Sequence, residues 1–188
     1  MKAAIRQYSG NIPVTIVNVN TISECVVRRR SGGGGLTEAV PLRIVQGELH
    51  NGCFAEKIPF TGFHDLVMKL DVLLDHLAFP QRDTALRSFG KNGIRRYHQM
   101  KEDLLPRLEQ PWNERVMQEG WGSCATFSVH VYARQNSSWQ GRVRWLEGKR
   151  EENFRSVLEL MCFLESVLDI EERSLRIEET GRHGGTKE

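Results

Sequence analysis

Hydrophobic and polar residues alternate along several short stretches of this chain, which is the pattern of half-buried β-strands. The stretch 12–20 is rich in β-branched residues, and the stretch 24–30 ends in three arginines. Asn51-Gly52 lies between two alternating stretches, and this pair is typical of a hairpin turn because both residues tolerate positive φ. The alternation predicts strands over residues 12–20, 24–30, 42–50, 54–60, 127–132 and 139–146, and a short strand that ends at Phe154.

Apolar residues at helical spacing predict three helices, over residues 61–77, 93–108 and 156–168. The middle helix is amphipathic and basic. Ser156 and Glu159 have the spacing of a capping box at the start of the last helix. The apolar arc of the last helix is wider than that of the first, so we expect the last helix to be the more deeply buried of the two.

Part of the chain resembles another part at a constant offset of 94 residues: 46–75 aligns with 140–169 without gaps. Random pairing over this length gives about two identities at average residue usage. Seven identical pairs are present: Gln46/Gln140, Gly47/Gly141, Phe60/Phe154, Leu66/Leu160, Leu70/Leu164, Leu74/Leu168 and Asp75/Asp169. The match predicts two copies of a strand–strand–helix (ββα) unit. The expected fold is therefore of the α+β class, an antiparallel sheet covered by helices.

The repeat and the charge pattern divide the chain into four parts. An N-terminal β-rich segment with the first ββα unit covers residues 1–80, and a basic helical connector covers 81–122. The second ββα unit covers 123–180, and residues 181–188 are expected to form a disordered tail. Residues 31–35 contain four consecutive glycines and are expected to form a mobile loop.

The composition is that of an ordinary soluble domain. The 188 residues are 39% hydrophobic and 27% charged, with a net charge of +2, which argues against wholesale disorder. No apolar run reaches the length of about eighteen residues that a membrane helix needs. The four cysteines are scattered without a Cys-x-x-Cys pair, and the six histidines show no ligand spacing. We therefore expect a cytoplasmic protein with reduced thiols, no metal and no cofactor.

Basic residues are concentrated in two places. Residues 82–101 carry a net charge of +5, and residues 134–150 carry a net charge of +4. In a strand over 139–146, alternation places Trp139 and Trp145 on the buried side and the intervening arginines on the solvent side. The candidate binding residues are Arg82, Arg87, Lys91, Arg95, Arg96, Arg142 and Arg144.

Catalytic motifs are not visible in the chain, and no catalytic residue is assigned. The sequence Asn136-x-Ser138-x-x-Gly141 matches the second half of the cyclic-dinucleotide motif of PilZ-type domains. The first half of that motif is a pair of arginines four residues apart, and no two arginines in this chain have that spacing. A polar hairpin turn is the favoured interpretation of this segment.

A longer string carries a family resemblance. Residues 136–149 (NSSWQGRVRWLEGK), followed by residues 154–160 (FRSVLEL), resemble a family of small, largely uncharacterised bacterial proteins. Such proteins often accompany mobile elements, and some anti-CRISPR proteins are of this general size and kind. The resemblance covers about the last third of the chain and implies no particular functional residues.

These observations predict a non-catalytic intracellular binding or regulatory protein with a protein or ribonucleoprotein partner. The resemblance implies one form of that function, inhibition of a bacterial nucleic-acid-targeting effector of the kind that anti-CRISPR proteins act on. Direct nucleic-acid binding through residues 82–101 and the strand with Arg142 and Arg144 is the alternative. A second alternative is an enzyme or nucleotide sensor whose site forms only in three dimensions. The sequence does not indicate the oligomeric state.

Overall fold

A computed structural model describes residues 14–30, 37–52, 56–104 and 120–182, and it describes side chains in these ranges except at 26–30, 37–41, 91 and 172–182. The elements in chain order are β1 (Thr15–Arg30), β2 (Thr37–Asn51), β3 (Ile58–Thr61), α1 (Gly62–Leu77), α2 (Lys91–Leu104), β4 (Ala125–Ala133), β5 (Gln140–Trp145), β6 (Arg150–Phe154) and α3 (Val157–Arg182).

The strands form one six-stranded antiparallel sheet in the order β3-β2-β1-β4-β5-β6. The predicted α+β class is therefore confirmed. β1 and β4 form the central pair, in which Ile16 lies opposite Ser128. The strand order is symmetric about this pair, because each half of the sheet adds two further strands outward from the centre.

The two strands predicted within residues 12–30 are one continuous strand, β1, in the residues that the structure describes. Pairing with β2 continues along the whole of β1, from Thr15 opposite Asn51 to Arg30 opposite Thr37. The pairing shifts register between Val19 and Thr21 and then resumes, so the two predicted strands join in one and the expected break does not occur. The predicted loop at 31–35 lies outside the described residues.

Each half of the sheet contains a glycine that lies opposite a phenylalanine. Gly47 on β2 pairs with Phe60 on β3, and Gly141 on β5 pairs with Phe154 on β6. These two pairs are separated by the offset of 94 residues. In both pairs the phenylalanine ring lies against the glycine, at a position that a Cβ atom would occupy. The glycines are therefore required by close packing.

The inner strands β1 and β4 correspond at a different offset. Val19 pairs with Gly47 and Val131 pairs with Gly141, and a register irregularity directly follows each valine. The two valines are 112 residues apart, which is 18 more than the offset of the outer strands. The difference lies between the two valine–glycine pairs, where β1 and β2 continue over residues 20–30 and 37–45 as a two-stranded extension that we call the β-ribbon. A duplication would explain these matched registers, and it stays a prediction.

The helix boundaries follow local capping chemistry. α1 occupies the predicted segment and ends where Ala78 adopts the left-handed conformation. At the start of α3, Ser156 Oγ accepts the Glu159 N–H at 3.1 Å, and the Glu159 carboxylate accepts the Arg155 N–H at 2.7 Å. α3 then continues to Arg182, so the first two residues of the predicted tail are helical and 183–188 lie outside the described residues.

The core lies between one face of the sheet and the helices. α1 packs on β2 and β3, α3 packs on β4, β5 and β6, and α2 packs on α1. The expectation that the last helix is more deeply buried than the first is wrong. α1 buries six apolar side chains, whereas α3 buries four up to residue 170 and leaves Leu158 70% exposed. The reason is α2, which covers the side of α1 that faces away from the sheet.

Candidate binding surfaces

Arg82, one of the predicted binding residues, lies in a group of ion pairs and hydrogen bonds that we call the ion-pair cluster (Asp71, Asp75, Arg82, Tyr97 and Arg134). Arg82 Nη2 lies 2.6 Å from Asp71 Oδ2 and 2.8 Å from the Tyr97 hydroxyl oxygen. Arg134 Nη1 donates to both carboxylates, at 3.0 Å to Asp71 and 2.8 Å to Asp75. The Arg134 side chain is only 3% exposed. The cluster connects α1, α2 and the end of β4.

The electrostatics of the ion-pair cluster match its geometry. Burial alone would raise the pKa of Asp75, but hydrogen bonds from Arg134, Tyr97 and Arg82 outweigh burial and lower that pKa. Burial and the nearby Asp71 charge raise the pKa of Tyr97. The two arginine charges are therefore balanced by two carboxylates inside the fold, and the binding role of Arg82 stays a prediction.

Sequence reasoning did not identify the ion-pair cluster. Asp71 and Asp75 are one helical turn apart, which places both carboxylates on the same side of α1. Arg134 lies directly after β4 and counts only as one of many basic residues in its segment. The available signal was the acidic pair Asp71 and Asp75 beside the leucine-rich part of α1, since buried carboxylates are found almost only with partners.

The basic residues around α2 form a separate surface. Arg87, Arg95 and Arg96 are exposed. The side chain of Lys91 lies outside the described residues. Arg96 also lines an open groove of about 460 Å³ between β3, α1 and α2. Bases and acids both line this groove, which gives it no single sign of charge: Asp65, Lys69, Arg96 and Asp103.

Arg142 and Arg144 are exposed on the face of the sheet opposite the three helices of the described residues. They alternate with buried Gly141 and Val143, which face the helices. The predicted orientation of the tryptophans is confirmed, because Trp139 is buried and Trp145 packs against the core. We call the exposed group on this face the outer patch: His130, Tyr132, Arg142, Arg144, Glu151 and Asn153.

The outer patch is held together by polar contacts and one ring contact. Arg142 Nη1 donates to Glu151 Oε1 at 3.1 Å, and both side chains are 46% exposed. The Tyr132 hydroxyl donates to Asn153 Oδ1 at 3.0 Å. The rings of His130 and Tyr132 meet edge to face with centroids 5.0 Å apart. These contacts orient the side chains and leave one side of each open to solvent.

His130 is the half-buried member of the outer patch. Burial, and then the neighbouring Arg142 charge, lower the pKa of His130 below its ordinary value. The imidazole is therefore neutral at neutral pH. Its Nε2 atom is buried and has no hydrogen-bond partner in the part of the chain that the structure describes.

The same face is covered in the first half of the sheet. Asn18 and His50 are almost completely buried there. Asn18 Nδ2 donates to the Gly120 carbonyl oxygen at 3.1 Å, and Gly122 N–H donates to Thr126 Oγ1 at 2.8 Å, so residues 120–124 lie over these strands. The outer patch lies on one face of the sheet, whereas α2 packs on α1 at the other face. The predicted binding residues therefore do not form one site.

The segment between β4 and β5 contains the residues that partly match the cyclic-dinucleotide motif. Asn136 and Ser137 both have positive φ, and the Ser138 N–H donates to the Gln135 carbonyl at 3.1 Å. This is a tight hairpin turn, as the sequence favoured. Among the described residues, no three His, Cys, Asp or Glu side chains are grouped so as to hold a metal ion.

No family model, curated protein or solved structure matches this chain. Within the described ranges, no helix combines the length and the apolar character needed to cross a membrane.

Proposed function

We propose that this chain is a non-catalytic binding protein and that its outer patch docks a protein partner. The observation that carries the proposal is the exposure of Tyr132, Arg142 and Arg144 together on a sheet face that none of the three described helices covers. Tyrosine and arginine are enriched in protein interfaces and among the residues that dominate binding energy.

The mixed charge of the outer patch favours a protein over a nucleic acid. Glu151 lies beside Arg142 at hydrogen-bond distance, so a phosphate that approached Arg142 would meet a carboxylate. A protein surface can present both signs of charge in complementary positions. Asn153 and the neutral His130 add hydrogen-bonding groups that do not depend on charge.

Inhibition of a nucleic-acid-targeting effector is the specific form of this function that we propose. Its support is the resemblance of residues 136–149 to small proteins of bacterial mobile elements. The resembling string forms the hairpin of β5 that carries Arg142 and Arg144. The partner is then a protein or a ribonucleoprotein in the bacterial cell.

The test is affinity capture of purified candidate effector proteins, with and without their guide RNA, on the immobilised chain. We expect Arg142→Glu with Arg144→Glu to weaken capture by about tenfold or more, since charge reversal at an interface places like charges together. Arg95→Glu with Arg96→Glu makes the same charge change on the opposite side of the sheet and should leave capture unchanged. Equal losses in both double variants would exclude the outer patch as the docking surface.

Direct nucleic-acid binding is a second candidate, favoured by the exposure of Arg87, Arg95 and Arg96 on one side of the molecule. With Lys91, four neutralised phosphates give a slope of about −3.6 in log K against log salt. Alanine at all four positions should flatten that slope. Binding to duplex and single strands that is undetectable at about 150 mM salt would exclude this candidate.

A further inference from the structure

One face of α3 combines exposed apolar and acidic side chains. Leu158, Cys162, Glu165 and Asp169 recur at helical spacing and are all exposed, and we call them the α3 stripe. They lie on the side of α3 opposite the buried Leu160, Leu164 and Leu168. Leu158 is 70% exposed and lies one turn before the exposed Cys162.

The corresponding side of α1 is covered. At the offset of 94 residues, Cys162, Glu165 and Asp169 correspond to Met68, Asp71 and Asp75. Met68 packs against the core, and the Asp71 and Asp75 side chains are only 13% and 17% exposed. Asp169 is 55% exposed. The two helices therefore carry similar side chains on this face, and among the described residues a helix covers that face of α1 but not that of α3.

The cover on α1 shows what kind of group two acids one turn apart can hold. Arg82 contacts both Asp71 and Asp75, and its guanidinium lies 5.5 Å from the centre of the Tyr97 ring. Tyr97 belongs to α2, an amphipathic helix that packs on α1. Arginine suits this site because its planar fork reaches two carboxylates at once.

We propose that the α3 stripe docks a partner segment in which an arginine precedes an amphipathic helix, in the manner in which α1 holds Arg82 and α2. Glu165 accepts the arginine, and Leu158 and Cys162 pack against the apolar side of the incoming helix. Asp169 already contacts Arg43 of the β-ribbon, which shows that this acid accepts a guanidinium. This surface is distinct from the outer patch, because α3 lies on the other face of the sheet.

A second copy of this chain does not fit the α3 stripe through the same face. Two stripes brought together would place Glu165 and Asp169 against the same acids of the second copy, and like charges at close range oppose binding. An arginine-bearing segment supplies the missing opposite charge. Charge complementarity therefore selects the occupant.

The experiment uses the full chain and a synthetic peptide of residues 82–104, which carries Arg82, Tyr97 and the whole of α2. Fluorescence anisotropy measures the affinity of the labelled peptide. Alkylation of Cys162 by iodoacetamide, followed by peptide mass spectrometry, locates the binding. We expect saturating peptide to slow alkylation at Cys162 several-fold and to leave Cys124 unchanged, because Cys124 lies in the segment that covers the opposite face of the sheet.

Two variants separate specific docking from general attraction between a basic peptide and an acidic helix. Glu165→Lys should weaken peptide binding about tenfold. Glu152→Lys makes the same charge change on β6, also at an exposed residue, and should change the affinity by less than about twofold. Three outcomes would each overturn the proposal: no binding by the wild-type chain, equal losses in the two variants, or binding without protection of Cys162.

Discussion

The outer sides of α1 and α3 provide the clearest comparison within this molecule. Both helices pack on the same face of the sheet and present acidic residues one turn apart on the opposite side. On α1 these acids hold two arginines and lie under α2. On α3 only Asp169 contacts an arginine in the described residues, and the surface is open. The same pattern of residues can thus build a core when a further helix is present and remain a surface when it is not.

The sheet shows what the two halves must share. The glycine–phenylalanine pairs and the register irregularities occur at matching places in both halves. A Cβ on either glycine would overlap a backbone carbonyl oxygen, that of Asn18 beside Gly47 and that of His130 beside Gly141. Sheet packing fixes these residues, whereas the helix surfaces are free to differ.

The strongest test of the comparison replaces the corresponding acids. We expect Asp75→Ala to reduce the free energy of unfolding by about 3 kcal/mol, because it removes a partner from buried Arg134. Asp169→Ala should cost no more than about 1 kcal/mol, because its ion pair with Arg43 is exposed. Urea denaturation at neutral pH measures both. Similar losses would show that the two helix surfaces are equally structural.

The pH dependence of the first variant adds a check on its cause. The pKa of Asp75 is lowered from its ordinary value of 3.8, so the folded state favours the ionised carboxylate. This stabilisation is complete above the unfolded pKa and is lost as the pH falls through the lower folded pKa. The stability difference between wild type and Asp75→Ala should therefore shrink below pH 3.8. A constant difference would point to lost packing instead of lost charge.

Substitution of Gly47 and Gly141 tests whether the glycine–phenylalanine pair is equally important in both halves of the sheet. Gly47→Ala and Gly141→Ala should each reduce the free energy of unfolding by about 2 kcal/mol, since the added methyl group meets a backbone carbonyl that cannot move freely. Gly90→Ala is the control, because nothing lies within 4 Å of its Cβ position. Thermal unfolding followed by circular dichroism is sufficient. A loss at one glycine alone would break the equivalence of the two halves.

The smallest expected effect concerns His130, which corresponds to Asn18 at the offset of 112. Since its folded pKa lies below the ordinary 6.5, the unfolded chain binds more protons and stability falls as the pH drops through this range. We expect His130→Asn to reduce the slope of stability against pH between about 5 and 7. Burial also lowers the pKa of His76, so His76 contributes to the slope of stability against pH with the same sign. His76→Asn should therefore remove a further part of that slope. An unchanged slope in His130→Asn would contradict the inferred neutral imidazole.

Local chemistry explains which parts of the fold could be predicted. The helix at α1, the capping box at Ser156 and the hairpin turn at Asn136 depend on residues within a few positions of each other. The burial of α3 could not be predicted, because it depends on whether another helix covers that surface. The ion-pair cluster brings Arg134 to Asp71, 63 positions away, and only the tertiary fold sets that meeting. Among the candidate binding residues, alternation correctly placed Arg142 and Arg144 in solvent. The ion pairs of Arg82 with Asp71 and Asp75 became visible only in the structure.

The central pairing of β1 with β4 has a consequence for synthesis on the ribosome. Thr15 lies opposite Val129, so the middle of the sheet closes only after 114 further residues have been made. At about 5–20 residues per second this takes roughly ten seconds. During that time β1 can pair with β2 but presents its other edge, and an unpaired edge invites pairing with other chains. The nascent chain is therefore most exposed to aggregation just before β4 emerges, and a chaperone that shields β1 would act in that interval.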